Sequence, residues 1–403
     1  MNQKKRVAKQ QHKEYLKQLT EQQKEGSQKN KVSGEIDFLA FSSVKSNFDI
    51  KANVIGKEQG TQGAQSNTIT DPKDDLELRI AQKYNKDEEY PWLTNDTMRI
   101  RDAQIFLHNE ILDFVKYIGT TTEDQQARRK VVSRIHKIVK ECFSQAKVMI
   151  FGSCATGLDL PNSDVDLLVY YPDQREQNMI NRLAGSLMKS GICKSIEAIK
   201  HAKVPIIKLQ DKETSCNIDI SFNRTNGIYC VKLVKTLMIK YPELRPLMIV
   251  LKAFLKCRGL NETYSGGISS FLLTMLATSY LQMAYKSGKT DKMDLGKHLI
   301  DFFELYGTKF NYEQIGISIR QDGFYFQKVK RGWQQYDEKN KSRLCVENPQ
   351  DPTIDIGFNA YNIKRIQRAF QHAYDTLIYN SSNTVSILKL LITSNINEFR
   401  LIQ

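Results

Sequence analysis

An α/β unit followed by a mainly helical one is the fold class that the order of patterns along these 403 residues predicts. Three observations carry it. Short apolar runs of strand character, at 147–151 and 165–171, bracket a Gly-Ser turn and a loop. Two more, at 204–209 and 217–222, oppose each other across the polar turn that starts at Asp211 and read as a hairpin. From residue 229 onward the apolar period lengthens to that of long helices.

The elements follow in order. Residues 1–85 form a basic arm rich in Lys, Gln, Ser, Gly and Asn. It has little apolar surface to bury, so it is expected to be mostly disordered, with a short helix near 5–25 compatible with its pattern. Order is expected to begin near Tyr90 and Trp92. A helix within 86–120 presents Leu107, Ile111, Phe114, Val115 and Ile118 on one face and is expected to pack on the helical unit. The α/β unit spans 121–228. It opens with a helix carrying Val131, Val132, Ile135, Ile138, Val139 and Cys142 inside and Arg128, Arg129, Lys130, Arg134 and Lys137 outside. After the two strands come a helix near 174–190, a strand at 193–199 and the hairpin. The helical unit, 229–403, is read as helices at 229–241, 243–258, 267–285 and 291–305, strands at 315–319 and 323–328, a Pro/Asp-rich loop at 345–358, and helices at 360–378 and 384–395.

A net charge of +14 suits a polyanionic partner such as nucleic acid or a nucleoside triphosphate, although the arm accounts for part of it. The seven cysteines form no C-x-x-C pair and are read as reduced thiols, neither a disulfide frame nor a zinc site. No apolar run reaches the roughly 18 residues of a membrane span, and the N-terminus lacks the apolar core of a secretory signal. An intracellular place is expected, nucleus or cytoplasm, with the nucleus slightly favoured. Lys4-Lys5-Arg6 could serve as a nuclear address, but so short a match reads more readily as a solvated charge cluster.

Chemistry concentrates between Phe151 and Leu167. Asp164 and Asp166, at i and i+2 on a strand, point to one face, where their carboxylates can share divalent cations. Gly152 lets backbone approach a phosphate, and Ser153 offers a hydroxyl and an N–H. Asp219, between Ile218 and Ile220, lies on the polar face of its own strand, where it can meet the first pair. Three carboxylates suit two Mg2+ ions, with Mn2+ as an alternative, in an in-line phosphoryl transfer. D-x-D alone is commonly a solvent-facing pair; the Gly-Ser before it and the strand-borne Asp after it make the set specific. It is not a P-loop, since no Gly-Lys-Ser/Thr follows the glycines. Lys252 and Lys256 sit four apart on a very apolar helix and require an anion if buried, or else snorkel to solvent.

Gly152-Ser153, Asp164-x-Asp166 and Asp219 together resemble the polymerase-beta-type nucleotidyltransferase superfamily. Within it the chain is similar, from about Tyr90 to residue 380, to the non-canonical poly(A) polymerases of the TRAMP type and the Cid-type terminal uridylyltransferases. The stretches Val204-Pro-Ile-Ile-Lys208, Thr263-Tyr-Ser-Gly-Gly-Ile-Ser-Ser-Phe271 and Asp351-Pro-Thr-Ile-Asp-Ile-Gly357 carry the likeness further. The resemblance implies a catalytic nucleotidyltransferase domain with a mixed sheet and a helical central (PAP-associated) domain. It implies template-independent addition of AMP or UMP to an RNA 3′ end, with release of pyrophosphate, in RNA surveillance or small-RNA silencing. It implies that Lys252, Lys256 and Ser270 hold the triphosphate, that Phe271 stacks on the base where relatives have Tyr, and that Asn226 reaches the ribose 2′-hydroxyl. As plain structure, Phe271 is a core residue and Asn226 belongs to an Asn-Gly turn.

Base choice would fall to the loop 345–358, with Asn348, Asp351, Ile354, Asp355 and Phe358. The family's uridylyltransferases have His at the position of Ile354; the TRAMP-type enzymes have Asn there and Arg at the position of Phe358. This chain has neither, so ATP is favoured by overall likeness and UTP stays open. No separate RNA-binding module is evident. RNA contact is expected from basic stripes at Arg128-Arg129-Lys130 and at Lys328, Lys330 and Arg331 beside Trp333, each of which also reads as a solvated face. By resemblance, protein partners (a helicase, a zinc-knuckle protein or an RNA-dependent RNA polymerase complex) would supply the RNA. A catalytically weak scaffold and a nucleotidyltransferase for small molecules are the competing readings.

Overall fold

The computed structural model describes residues 90–202, 204–288, 294–333, 342–380 and 384–392, all within one unit, Phe38–Gln403. The basic arm, with its helix near 5–25, lies outside the described residues.

Five strands make a mixed sheet: β1 (Lys147–Phe151), β2 (Val165–Tyr170), β3 (Cys193–Ile199), β4 (Ile206–Asp211) and β5 (Asn217–Phe222), in the order β1-β2-β5-β4-β3. Only β2 and β5 run parallel. They are also central, and Val165, Leu167, Ile218 and Ile220 are fully buried. A sheet covered on one side alternates apolar and polar positions. Here that alternation leaves Asp166 and Asp219 on the opposite face from these aliphatic residues.

A short helix, α1 (Asn95–Met98), and two longer ones, α2 (Ala103–Ile118) and α3 (Thr122–Cys142), precede the sheet. A reciprocal capping box between Thr121 and Asp124 starts α3. Where the sequence reads as a turn and loop, Gly152–Thr156 form a one-turn helix, α4, with Gly157 closing it in the left-handed region. Five residues are too few to show a helical period, which is why the pattern hides it. Helix α5 (Glu176–Ser190) packs with α3 against the sheet.

The helical part contains α6 (Asn226–Lys240), α7 (Leu244–Lys256), α8 (Ser270–Ser287), α9 (Leu295–Glu304), α10 (Ile363–Asn380) and α11 (Ile387–Leu391), with a small hairpin of β6 (Ile315–Ser318) and β7 (Phe324–Gln327). Its core is aromatic: Phe254 and Phe303 centroids lie 4.9 Å apart, and Phe302 and Phe370 5.5 Å apart. Aromatic pairs at such spacings add about 0.5–1.5 kcal/mol beyond burial. Helix α2 packs on α7 and α9 and is part of this core. Buried Glu110 on α2 accepts hydrogen bonds from Trp92 Nε1 (3.1 Å), Ser386 Oγ and the N–H groups of Ile387 (2.9 Å) and Leu388 (3.1 Å), so it caps α11. Among the described residues no helix is long and apolar enough to cross a membrane.

Candidate active site

Strand register builds the site. Phe151 pairs with Asp166, Asp166 with Asp219, Asp219 with Lys208, and Lys208 with Glu197, a single row across all five strands. Register partners on neighbouring strands sit about 4.8 Å apart, so the side chains of Asp166 and Asp219 stand next to each other. Asp164 ends the loop just before β2 and stays exposed. Burial, with Asp219 and Asp164 close by, pushes the Asp166 carboxyl up to about 7. Burial also pushes Asp219 up, opposed by Lys208, whose Nζ lies 3.0 Å from Asp219 Oδ2. Crowded carboxylates of this kind are relieved by a proton or by a cation.

Gly152 is the other side of this pocket. Its φ of +69° lies in the left-handed region, and a Cβ there would fall 1.9 Å from Asp166 Oδ2. Glycine is thus required by contact with the carboxylate, in addition to the phosphate approach expected from sequence. Half-buried Ser153 follows in α4. Among the described residues no three His, Cys, Asp or Glu side chains converge as a ready metal cage. Lys208 occupies one oxygen of Asp219 instead. The donor set, all carboxylate oxygens, and the mutual repulsion around Asp166 fit a hard divalent cation, to be held by Asp164, Asp166 and Asp219.

The loop between α4 and β2 is pinned by cations. Arg128 pairs with Asp159 and donates Nη2 to the carbonyls of Leu160 (3.1 Å) and Pro161 (2.8 Å). Arg245 Nε donates to Gly157 O (3.2 Å), Lys252 Nζ to Leu158 O, and Lys256 Nζ to Asn162 Oδ1. The Cys154 thiol, which burial pushes up to about 12 and so keeps neutral, donates to Asp164 O (3.3 Å). Burial pulls Lys252 down to about 8 and lowers Lys256, against which Asp164 pulls upward.

Arg128 is therefore not on an RNA-facing stripe. It is 2% exposed and serves the loop, while Lys130 and Arg134 pair with Glu213. A helix-face pattern cannot register a loop that folds back over it. The second stripe is corrected likewise. Lys328 is buried and donates to the carbonyls of Tyr312 and Arg343, and Arg331 pairs with Glu347 at 3.1 Å; Lys330 remains exposed.

Ser269 caps α8 by accepting from Leu272 N (3.2 Å), Ser270 is exposed in the first turn, and Phe271 is half-buried against the helical core. Asn226 is exposed at the start of α6. The α7–α8 connection contains Glu262, whose negative charge favours the protonated forms of both Lys208 and Lys256. This connection is tied to the chain beyond 358: Tyr361 Oη donates to Tyr264 O (2.8 Å) and Asn362 N to Gly266 O (3.1 Å).

In the loop 345–358, Asp355 Oδ1 accepts from Val346 N (2.9 Å) and Gly357 N (2.8 Å), and Asp351 Oδ1 from Thr353 N (3.0 Å). Both carboxylates hold the loop's shape. Asn348 N donates to Ile354 O (2.9 Å). Ile354 and Phe358 are about half exposed, and the Arg343 guanidinium stacks 3.3 Å from the Phe358 centroid. Lys208, Asn162 and Arg245 were not singled out from sequence. For Lys208 the signal was present: it alternates with buried Ile207 and Leu209, which turns it to the carboxylate side.

Comparison with known proteins adds a family context. The sequence family described as "Poly(A) RNA polymerase, mitochondrial-like, central palm domain" matches residues 107–238, and "Cid1 family poly A polymerase" matches 294–354. Poly(A) RNA polymerase protein 1 of Saccharomyces cerevisiae is 36% identical over 321 residues, 77% of this chain and 50% of the relative. The chain thus spans about half the length of that relative. The inactive non-canonical poly(A) RNA polymerase protein Trf4-2 of Drosophila melanogaster is 34% identical over 278 residues, 68% of each chain. The solved polymerase core of TRAMP, described as an RNA surveillance complex, superposes with a TM-score of 0.68 at 32% identity, over 77% of this chain and 99% of that one.

Proposed function

Because this chain belongs to the non-canonical poly(A) RNA polymerase family, we propose that it is a template-independent RNA 3′-terminal nucleotidyltransferase, adding AMP from ATP and releasing pyrophosphate. The observation that carries the proposal is the register pairing of Asp166 with Asp219, with Asp164 two residues ahead and Gly152 closing the pocket. In this reading Asp164, Asp166 and Asp219 hold two Mg2+ ions. Bound there, the cations lower the energy of the attacking 3′-oxygen and of the charge on the leaving pyrophosphate.

The chain's own groups do the rest. Gly152 and Ser153 approach the phosphates from α4, and Ser270 approaches them from the N-terminus of α8. Lys252 and Lys256 exchange their loop acceptors for triphosphate oxygens. Phe271 supports the base and Asn226 the ribose 2′-hydroxyl. Base choice rests on Asn348, on the exposed flank of Ile354 and Phe358, and on backbone groups that Asp351 and Asp355 hold in place. Arg128, Lys328 and Arg331 are spent on contacts within the fold, which removes three of the six cations expected to face RNA. That supports a protein partner, such as a helicase or a zinc-knuckle protein, as the source of RNA affinity.

Primer extension tests this. Purified protein, labelled single-stranded RNA and Mg2+ are incubated with each NTP separately, and extension with ATP alone is expected. Asp164→Ala combined with Asp166→Ala is expected to abolish extension without lowering thermal stability, because it removes like charges. Equal extension by that variant would refute the assignment. Ile354→His is expected to move NTP use toward UTP, and an unchanged profile would show that the loop does not set the base. The fruit-fly relative named as inactive favours one second reading, a scaffold subunit. Failure of the wild-type chain to extend any RNA would establish that reading instead.

A further inference from the structure

We propose that the surface formed by Tyr264, Tyr361, Lys364, Arg365 and Arg368 holds single-stranded RNA outside the carboxylate site. The inference rests on the nucleotidyl-transfer reading for the identity of its ligand and gives that substrate a second hold. Tyr264 is 82% exposed and Tyr361 59%. Tyr361 is fixed all the same. Its ring packs on Gly266, where a Cβ would fall 2.5 Å from it, and its Oη is bonded to Tyr264 O. Asn362 ties the same turn down by donating its N–H to Gly266 O (3.1 Å). An ordered aromatic ring left in water is a stacking surface that loses little entropy on binding.

Charge lies one helical turn further on. Helix α10 opens Ile-Lys-Arg-Ile-Gln-Arg, and Ile363 and Ile366 are buried. That turns Lys364, Arg365 and Arg368 outward together, at helical spacings of three and four. Other cations of the helical part have acidic partners, as Lys297 has Asp301 and Lys309 has Glu304. Among the described residues these three meet no carboxylate, and the first turn of α10 holds no acidic residue. A helix N-terminus already carries partial positive charge, so cations there raise the local potential. For the fold that placement is unfavourable. For a polyanion it is an attraction.

Phosphates answer the cations and bases answer the rings. A duplex satisfies only the first, because its bases are stacked on each other, whereas a single strand satisfies both. The patch also adjoins segments that the nucleotide reading uses. Tyr361 follows the loop 345–358 by three residues, and Tyr264 lies on the connection that leads to Ser270. The hydrogen bond between Tyr361 and Tyr264 joins those two segments at the patch itself. Three phosphate contacts make a modest hold, in keeping with a partner that supplies further RNA affinity.

Binding tests this without turnover. The full chain is titrated against a 5′-labelled single-stranded oligoadenylate, followed by fluorescence anisotropy over a range of salt. Lys364→Gln combined with Arg365→Gln and Arg368→Gln is expected to weaken binding at least roughly tenfold. It should also flatten the slope of log K against log salt by about 2, the loss of three single-strand phosphate contacts. Tyr264→Ala is expected to weaken binding roughly fivefold or more with the slope unchanged, the loss of one stacked base. Wild-type affinity in either variant overturns the proposal, and so does an equal loss for duplex RNA in Tyr264→Ala. A charge variant that keeps its RNA but releases poly-L-glutamate marks a protein dock and overturns it too. A wild-type chain that binds RNA through this patch but never extends it leaves the surface standing and removes the catalytic reading. Extension by the wild type, with RNA affinity unchanged in the variants, does the reverse.

Discussion

A methyl group at position 152 would land on the Asp166 carboxylate and would also force a left-handed backbone on an L-residue. Gly152→Ala is therefore expected to cost about 1–2 kcal/mol of stability and to displace Asp166. Extension should fall at least roughly a hundredfold, since a small misplacement of a reacting centre costs that much. Mn2+ affinity, read by electron paramagnetic resonance without any substrate, should fall in parallel. Lys252 gives a pH signature. Burial holds it near 8, below its ordinary 10.5. Below pH 8 it is protonated in folded and unfolded chains alike. Between about 8 and 10.5 only the unfolded chain keeps the proton, so stability rises with pH across that window, by at most roughly 3 kcal/mol. Nucleotide affinity should move the other way, weakening above pH 8 as the ammonium is lost. Equilibrium dialysis of ATP against pH checks this, and Lys252→Met should flatten the profile.

At the scale of elements, the segment from Gly157 to Ser163 determines where Asp164 stands. Its shape depends on Arg128, which lies 31 to 33 residues earlier in sequence than its partners Asp159, Leu160 and Pro161. Arg128→Met would strand Asp159 as a buried, unpaired charge beside two carbonyls, at a cost of about 3–5 kcal/mol. Urea denaturation followed by circular dichroism should show that loss; a change under 1 kcal/mol would mean that the loop is held by other means. This is also where sequence legibility ends. The strands were readable because burial on one face imposes a period of two. Tertiary pairing leaves no such local mark. Arg128, Arg331 and Lys328 look like solvent-facing cations in any window of sequence, and only the folded chain shows which carbonyl or carboxylate each one meets.

For the whole molecule, the strand order matters most. The hairpin of β4 and β5 was legible, whereas the insertion of β5 between β2 and β4 was not, because a parallel pairing across a long connection has no turn to announce it. That insertion is what sets Asp166 beside Asp219. A second long-range joint closes the helical part: Glu110, near the start of the described chain, receives Trp92 from one side and the N-terminus of α11 from the other. Burial pushes Glu110 up to about 7, and the donors from Ser386, Trp92, Leu388 and Ile387 pull against it. Glu110→Gln replaces an acceptor oxygen by an NH2 that faces other donors, with an expected loss of about 2–3 kcal/mol in a chemical denaturation curve. Only a neutral result would mean that the joint is not required.

That joint also gives the chain a built-in reporter. Trp92 is one of only two tryptophans, is 3% exposed, and meets the edge of Phe114 with ring centroids 5.5 Å apart. Its indole emission is therefore tied to the closure of the seam between α2 and α11, so a red shift on loosening would be visible in a spectrum without any label.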